Sequence, residues 1–470
     1  MVQLERDDIQ GFVMSGYGHM HRAAYLLLRV GEAAGDAPRA RAWLGDLAPR
    51  LTTSEAPERE RCLQVAFTGE GLRAFGVHAD DLATFPAPFR EGMAVEHRTR
   101  ILGDTGGNHP RGWAWGGPGG KPVHVLLLVF ARDDATFASV EAEERALLDA
   151  DGLEVVRQLT PERLPGLENV GKFGVEHFGF ADGMSQPVVR GSGQEAKLSG
   201  DDARRHVIEA GEFVLGYPNG YAKLTPWPKL ATEPDGGADF GRNGTYLVFR
   251  HLAQDVGAFR EFLRSQSADP GGRTSAEEEL RLAAKLVGRW QSGAPLVKGD
   301  HRDDPDLGLD NSFGYAEWDP HGLRCPIASH VRRTNPRDSL GSKPDKALEL
   351  ANLHRILRRG RVFGPPFDDP HEGDVEPERG LHFICLNANI ERQFEFIQHT
   401  WCNNPKFAGR YDEQDPLITY QPDGGGRLTI QQTPVRRRVV DIPSFVTTRG
   451  GAYFFLPGIR AVRQLGALAG

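Results

Sequence analysis

The chain has 470 residues, 39% hydrophobic and 26% charged, with a formal net charge of -8. That content supports a sizeable core and excludes global disorder, and a net acidic chain carries no basic field for duplex nucleic acid. No stretch reaches the roughly 18 apolar residues of a membrane span, and acids such as Glu5 and Asp7 stand where a signal peptide would carry a basic start, so the expectation is a cytoplasmic chain with no membrane partner.

The first predicted element is a buried strand over 24–30, followed by a helix over 38–47. A strand over 123–130 leads into a helix from about Asp134, on which Phe137, Val140 and Leu147 share a face. A third strand over 245–250 leads into 256–263, with Val256, Phe259 and Leu263 on one side, and a helix over 275–290 is expected to pack across the second half. A fourth strand over 381–386 leads into a helix over 390–401, with an apolar stripe of Ile390, Phe394, Ile397 and Trp401. Two strand-then-helix units in each half predict an α+β fold made by duplicating an antiparallel sheet with helices on one face. No glycine-rich fingerprint joins a strand to its helix, which removes the argument for a dinucleotide fold.

Long segments rich in Gly, Pro and Asp separate the units, over 85–121, 186–211, 216–243 and 293–319. Loops of that length in a compact protein are usually functional or disordered, and Trp113, Trp115 and Trp227 favour ordered walls and lids. The four cysteines, Cys62, Cys325, Cys385 and Cys402, form no C-x-x-C pair, which argues against zinc or iron-sulfur clusters and for reduced, buried thiols.

Three stretches carry candidate chemistry. Over 178–187, Asp182 sits between Gly179 and Gly183 among apolar neighbours, with no adjacent basic partner. Glycines on both sides let the backbone take unusual angles and let a flat group approach closely, although Asp-Gly is also an ordinary turn dipeptide. The second stretch begins at Cys325 and places His330 before Arg332, Arg333 and Arg337. A lone histidine after an apolar run is more often a satisfied core residue than a ligand, but an imidazole bound to an iron porphyrin would need cations nearby for two propionates, and arginine forks match carboxylates. In the third stretch, 353–364, Ile356 and Leu357 suggest a buried segment that delivers one arginine inward, where Asp182 could answer it.

Together Gly179-Phe180-Ala181-Asp182-Gly183, the run from His330 to Arg337 and the segment around Arg358 resemble the dye-decolorizing peroxidases. The resemblance runs nearly end to end, taking in Asp8-Ile9-Gln10-Gly11, Leu102-Gly103-Asp104, Gly241-Arg242-Asn243-Gly244 and the stretch from Arg449 to Phe455, and the longer loops look like the larger members of that family. It implies a pair of ferredoxin-like modules, 1–185 ending in the GxxDG motif and 186–470 holding one haem b per chain. It further implies that His330 is the proximal iron ligand, Asp182 the distal acid and Arg358 the distal arginine, with Gly179, Phe180, Ala181 and Gly183 at the cofactor and Arg332 and Arg337 toward the propionates. Family members usually carry an acid near the helix after the 381–386 strand that bonds the other nitrogen of the proximal histidine. Here Asn389 stands at the expected place and Glu391 two residues on, and Glu391 is the candidate.

The function so implied is a haem peroxidase that uses hydrogen peroxide to form a ferryl intermediate and oxidises dyes or phenolic donors in single-electron steps. Asp182 would move the proton of the peroxide and Arg358 would stabilise the charge on its far oxygen. Surface aromatics would pass electrons from bulky donors, Trp401 and Tyr420 being candidates by residue type alone. The sequence leaves a homo-oligomer open. It also leaves three rivals: a haem enzyme of oxygenase-like or deferrochelatase-like outcome, a haem carrier or sensor, and a haem-free binding module built on the Trp-rich loops.

Overall fold

Strands that are apolar at successive positions must be covered on both faces, and two such sets dominate the chain. A computed structural model describes residues 3–55, 60–162, 164, 174–230, 237–269, 271–367 and 377–468; of the long segment 216–243, residues 231–236 lie outside the described residues. The first set is β1 (Arg22–Val30), α1 (Asp36–Leu47), β2 (Arg61–Phe67), β3 (Val125–Ala131), α2 (Asp134–Ala150) and β4 (Leu153–Leu159). The second is β5 (Thr245–Gln254), α3 (Val256–Ser267), β6 (Leu357–Arg358), β7 (Arg361–Phe363), β8 (Gly380–Asn387), a π-helical stretch over Glu391–Glu395 and Ile397–Cys402, and β9 (Val446–Leu456).

The first set runs strand, helix, strand, strand, helix, strand; the second repeats this with the short strand β7 added between β6 and β8, and both pair in the same antiparallel order. The first gives β4-β1-β3-β2 and the second β9-β5-β8-β6, with β7 also on β8. The sheets fuse where Phe455 of β9 pairs with Phe67 of β2. The expected duplication of a ferredoxin-like module is therefore the architecture of the chain.

Register decides which side chains share a face. In the first copy Ala24, Leu26 and Leu28 meet Trp43, Leu44, Phe137 and Val140 and are fully sealed by α1 and α2. The opposite face, with Tyr25, Leu27 and Leu126, is covered by the N-terminal residues Phe12, Val13 and Tyr17. In the second copy α3 takes Phe259 and Phe262 into a cluster with Leu282 and Leu286 of a helix over Ala276–Val287 and with Leu428 and Val439 of a hairpin. Leu252, Leu381 and Phe383 consequently stay half-buried on the face that helices seal in the first copy. Trp113 and Trp115 are buried core residues, Trp113 bonding the Asn108 carbonyl through its indole N–H at 2.8 Å. They thus order their loop from within the core.

Arg250 of β5 is buried and donates to both oxygens of Asp104, to Oδ1 at 2.5 Å and to Oδ2 at 2.6 Å, which ties the 102–104 loop to the second copy. Asp104→Ala leaves a buried cation unanswered and is expected to cost roughly 3–5 kcal/mol of folding stability. Chemical denaturation checks it, and the double variant with Arg250→Leu should recover most of the loss.

Candidate active site

His330 opens a short helix over His330–Thr334, behind Ser329 at the N-cap. Its Nδ1 lies 2.8 Å from Oδ2 of Asp415, which is wholly buried. Oδ1 of Asp415 accepts the backbone N–H groups of Leu417 at 2.9 Å and Ile418 at 3.1 Å, so the carboxylate cannot swing. Arg333 holds the same segment in place, its guanidinium donating to the carbonyls of Trp401, Cys402, Asn404 and Glu413. With Nδ1 committed, Nε2 of His330 is the nitrogen left over, and 27% of the side chain stays open although protein surrounds it. That open part of the ring borders space that protein atoms do not fill.

Burial opposes a charge on His330, but the charge and hydrogen bond of Asp415 outweigh it and the net shift is upward. Burial likewise pushes Asp415 up, and the His330 ring and two backbone amides reverse it, holding the carboxyl below its ordinary range. The bond therefore carries strong charge character, the arrangement that fixes the tautomer of a metal-binding imidazole.

The second carboxylate, whose charge also acts on His330, is Asp182. Gly179 and Gly183 take φ of +93° and +86°, left-handed values that a side chain would strain, and a Cβ on Gly179 would come within 2.9 Å of Gln291 Nε2. The loop closes on itself: Val175 bridges Ala181, the Asp182 N–H donates to the Gly174 carbonyl at 3.2 Å, and the Ala181 N–H reaches Gln291 at 2.9 Å. Phe180 anchors it in the cluster beneath α3. Arg358 comes from β6, where pairing with Cys385 of β8 raises its side chain from the same face as Phe383 and Leu381. Its Nη1 donates to Oδ1 of Asp182 at 2.9 Å and its Nη2 to the Met184 carbonyl at 2.6 Å. The Gly183 N–H also donates to Oδ1, at 2.6 Å. Oδ2 receives no hydrogen bond among the described residues. Both side chains remain open, Arg358 at 36% and Asp182 at 44%, and both charges act on His330.

Three site expectations change. Glu391 is not the partner of His330: it lies on the outer side of the π-helical stretch, 57% exposed and 3.3 Å from Arg98, while Asn389 accepts the Arg392 N–H; Asp415 holds Nδ1 instead. That stretch winds with bonds five residues back, as from the Glu395 N–H to the Ile390 carbonyl at 2.9 Å, where an α-helix was expected. Arg332 is buried and answered by Asp319 and the Cys325 carbonyl, so it is no unmatched cation seeking a propionate. Arg337 does lack a carboxylate bond, donating to the carbonyls of Asn311 and Phe313. Beside it lies Arg355, which the sequence reading missed: buried, donating to the carbonyls of Ser185 and Arg205, and pushed down to about 9 by burial and then by the charges of Arg337 and Arg358. Asp415 could have been found by the criterion that picked Asp182, an acid among apolar neighbours, since it precedes Pro416, Leu417 and Ile418.

The donor set fits haem. An imidazole offers one free nitrogen, half-buried Leu252, Ile356, Leu381 and Phe383 supply an apolar wall, and buried arginines without carboxylates suit an anionic group. An acid with one oxygen unbonded among the described residues acts on the same imidazole. The set is suited to a haem enzyme.

No family model matches the chain. A multifunctional dye peroxidase from an Amycolatopsis strain is 32% identical over 456 residues, covering 92% of this chain and 90% of its own. A dye-decolorizing peroxidase from Mycena epipterygia is 30% identical over 90% of this chain and 80% of its own. Among solved structures, an ancestral D-type dye decolorizing peroxidase matches with a TM-score of 0.79 at 29% identity, covering 99% of this chain and all of that one. The fungal enzyme of Auricularia auricula-judae also reaches 0.79, at 25% identity. The chain belongs to the dye-decolorizing peroxidases, haem oxidoreductases that act on hydrogen peroxide.

The opposed effects on His330 give a direct check. Asp415→Asn removes the charge that outweighs burial, so the imidazole of the haem-free protein is expected to titrate below its ordinary range in the variant and above it in the parent. Nitrogen-15 NMR of the labelled ring reads both.

Proposed function

We propose that His330 holds the haem iron through Nε2, that Asp182 is the acid–base group for hydrogen peroxide and that Arg358 is its electrostatic partner. The observation that carries this reading is the division of labour on Asp182. Oδ1 is occupied by Arg358 and the Gly183 N–H, Oδ2 receives no hydrogen bond among the described residues on a side chain that stays open, and the charges of Asp182 and Arg358 both act on His330.

Bound haem supplies the iron at which peroxide binds and the oxidising equivalents that its reduction yields. The protein supplies proton management. Oδ2 of Asp182 takes the proton from the inner peroxide oxygen and delivers it to the outer one, so a good leaving group, water, departs. Arg358 holds Asp182 in place and stabilises negative charge on that outer oxygen. Asp415 fixes the ring of His330 and increases its donor strength. Arg337 and Arg355 are suited to receive the carboxylates of the haem, while Gly179, Phe180, Ala181 and Gly183 form the loop that lies against it. A haem carrier has no use for an acid with one oxygen kept free.

Dyes and phenols are the inferred electron donors. One solved dye-decolorizing peroxidase is a complex with 2,6-dimethoxyphenol, which supports an aromatic donor here. Trp401 is buried and Tyr420 half-buried against Gly106, so neither is itself an open landing surface for a dye. Four buried cysteines, none of them in a disulfide, support the cytoplasmic reading, and among the described residues no helix is long and apolar enough to cross a membrane.

Asp182→Asn is expected to slow the reaction with peroxide by about 10²–10⁴-fold, the range of a lost general acid–base, with haem content unchanged. His330→Ala should release the haem itself. Stopped-flow mixing and haem titration separate the two, and an Asp182→Asn enzyme reacting at the parent rate would remove Asp182 from the role.

A further inference from the structure

One carboxylate in the distal loop has no part in the chemistry just described. Glu176 lies six residues before Asp182, and both of its oxygens are engaged by N–H donors. Oε2 accepts the Phe178 N–H at 3.0 Å and Gln254 Nε2 at 2.6 Å, and Oε1 accepts the Phe180 N–H at 3.0 Å. Its backbone completes the knot, the N–H donating to the Phe180 carbonyl at 3.0 Å and the carbonyl accepting the Gly179 N–H at 2.8 Å. Gln254 is the last residue of β5, and its own N–H donates to the Arg379 carbonyl, so the side chain that grips Glu176 is itself fixed to the sheet.

The loop needs such a grip. Gly179 and Gly183, both at left-handed φ, leave the stretch between them free to take many conformations. Asp182 can move a proton only while its oxygen stays in reach of the peroxide. We propose that Glu176 is the positioning residue of the distal loop, its carboxylate clamping the Phe178 and Phe180 amides to Gln254 of the sheet and so fixing where Asp182 stands. The inference rests on the role given to Asp182 above.

The chemistry of the clamp makes it sensitive to protonation. Only the carboxylate presents two acceptor oxygens at full strength; bonds to the charged form are the stronger. Burial pushes Glu176 up to about 7, against the pull of its three N–H donors and with a further upward push from Asp182. Among the described residues, the His177 ring pairs with the Phe363 carbonyl, and Arg379 donates to the Pro365 carbonyl. Glu176 ionises as pH rises through the neutral range, and the loop is held best above it.

The test uses the haem-loaded enzyme and reads the rate constant for peroxide against pH, with amide hydrogen exchange at Phe178 and Phe180. In the parent, the rate constant is expected to rise with pH through one transition as Glu176 ionises. Glu176→Gln keeps one acceptor oxygen, so it should lower the rate roughly 10- to 100-fold, as small misplacements of a reacting group do, abolish the transition and speed exchange at both amides while haem content holds. Gln254→Leu, which leaves the loop's own residues untouched, should move the transition to higher pH. A Glu176→Gln enzyme with the parent profile and parent exchange, or a Gln254→Leu enzyme whose transition does not move, overturns the proposal. Asp182→Asn run alongside separates the two readings: if it reacts at the parent rate, the role of Asp182 fails, whatever Glu176 does.

Discussion

The bond from Arg358 to Oδ1 of Asp182 joins groups 176 residues apart, and the site depends on it. A carboxylate pressed against apolar residues is costly unless a charge answers it, and an arginine on a half-buried strand is costly for the same reason. The pair answers both demands while each side chain stays partly open. The bond uses one oxygen only, and Oδ2 of Asp182 receives no hydrogen bond among the described residues. Asp415 divides its oxygens too, giving one to backbone amides and the other to His330.

The half-buried sheet face follows from duplication with one displacement. Both copies share strand order, so both sheets present an apolar face that calls for helices. The first copy supplies them. In the second, α3 sinks its phenylalanines into a separate cluster, and the sheet face around Phe383 lacks a full protein cover. An apolar face left half-buried inside a protein of this size is suited to a flat apolar cofactor. Arg358 stands at its edge because β6 pairs with β8 in the register that sets Arg358 opposite Cys385.

How much of this was legible depends on how local each signal is. Strand-then-helix order is written in short apolar runs, and it carried the fold class correctly. Asp182, His330 and Arg358 could be picked out because each sits in a compact stretch of unusual residue types. Pairing between distant groups has no such local trace. Glu391 was chosen because it is near the right strand in sequence, yet the π winding and Arg98 keep it outside, and the acid that reaches His330 arrives from 85 residues downstream. Arg332 looked like a free cation only because Asp319, thirteen residues earlier, could not be seen to answer it. Arg355 was missed for the converse reason: burial, a tertiary property, is what makes it unusual.

That unanswered burial links the site to the stability of the whole. Arg337 and Arg355 are withdrawn from water and meet only carbonyl groups and one hydroxyl in the hydrogen bonds they make around Ser185. Burial pulls both down from the ordinary arginine range; at Arg337 the charges of Asp338 and Asp310 oppose it without reversing it, and at Arg355 the charges of Arg337 and Arg358 add to it. A neutral ligand of the same shape would leave that cost in place. An anionic one would relieve it, and by linkage whatever binds the native state and not the unfolded chain adds to folding stability in proportion to its affinity. Haem with its two carboxylates is such a ligand. On the proposed assignment of Arg337 and Arg355 to the haem carboxylates, these arginines would serve selection as well as anchorage.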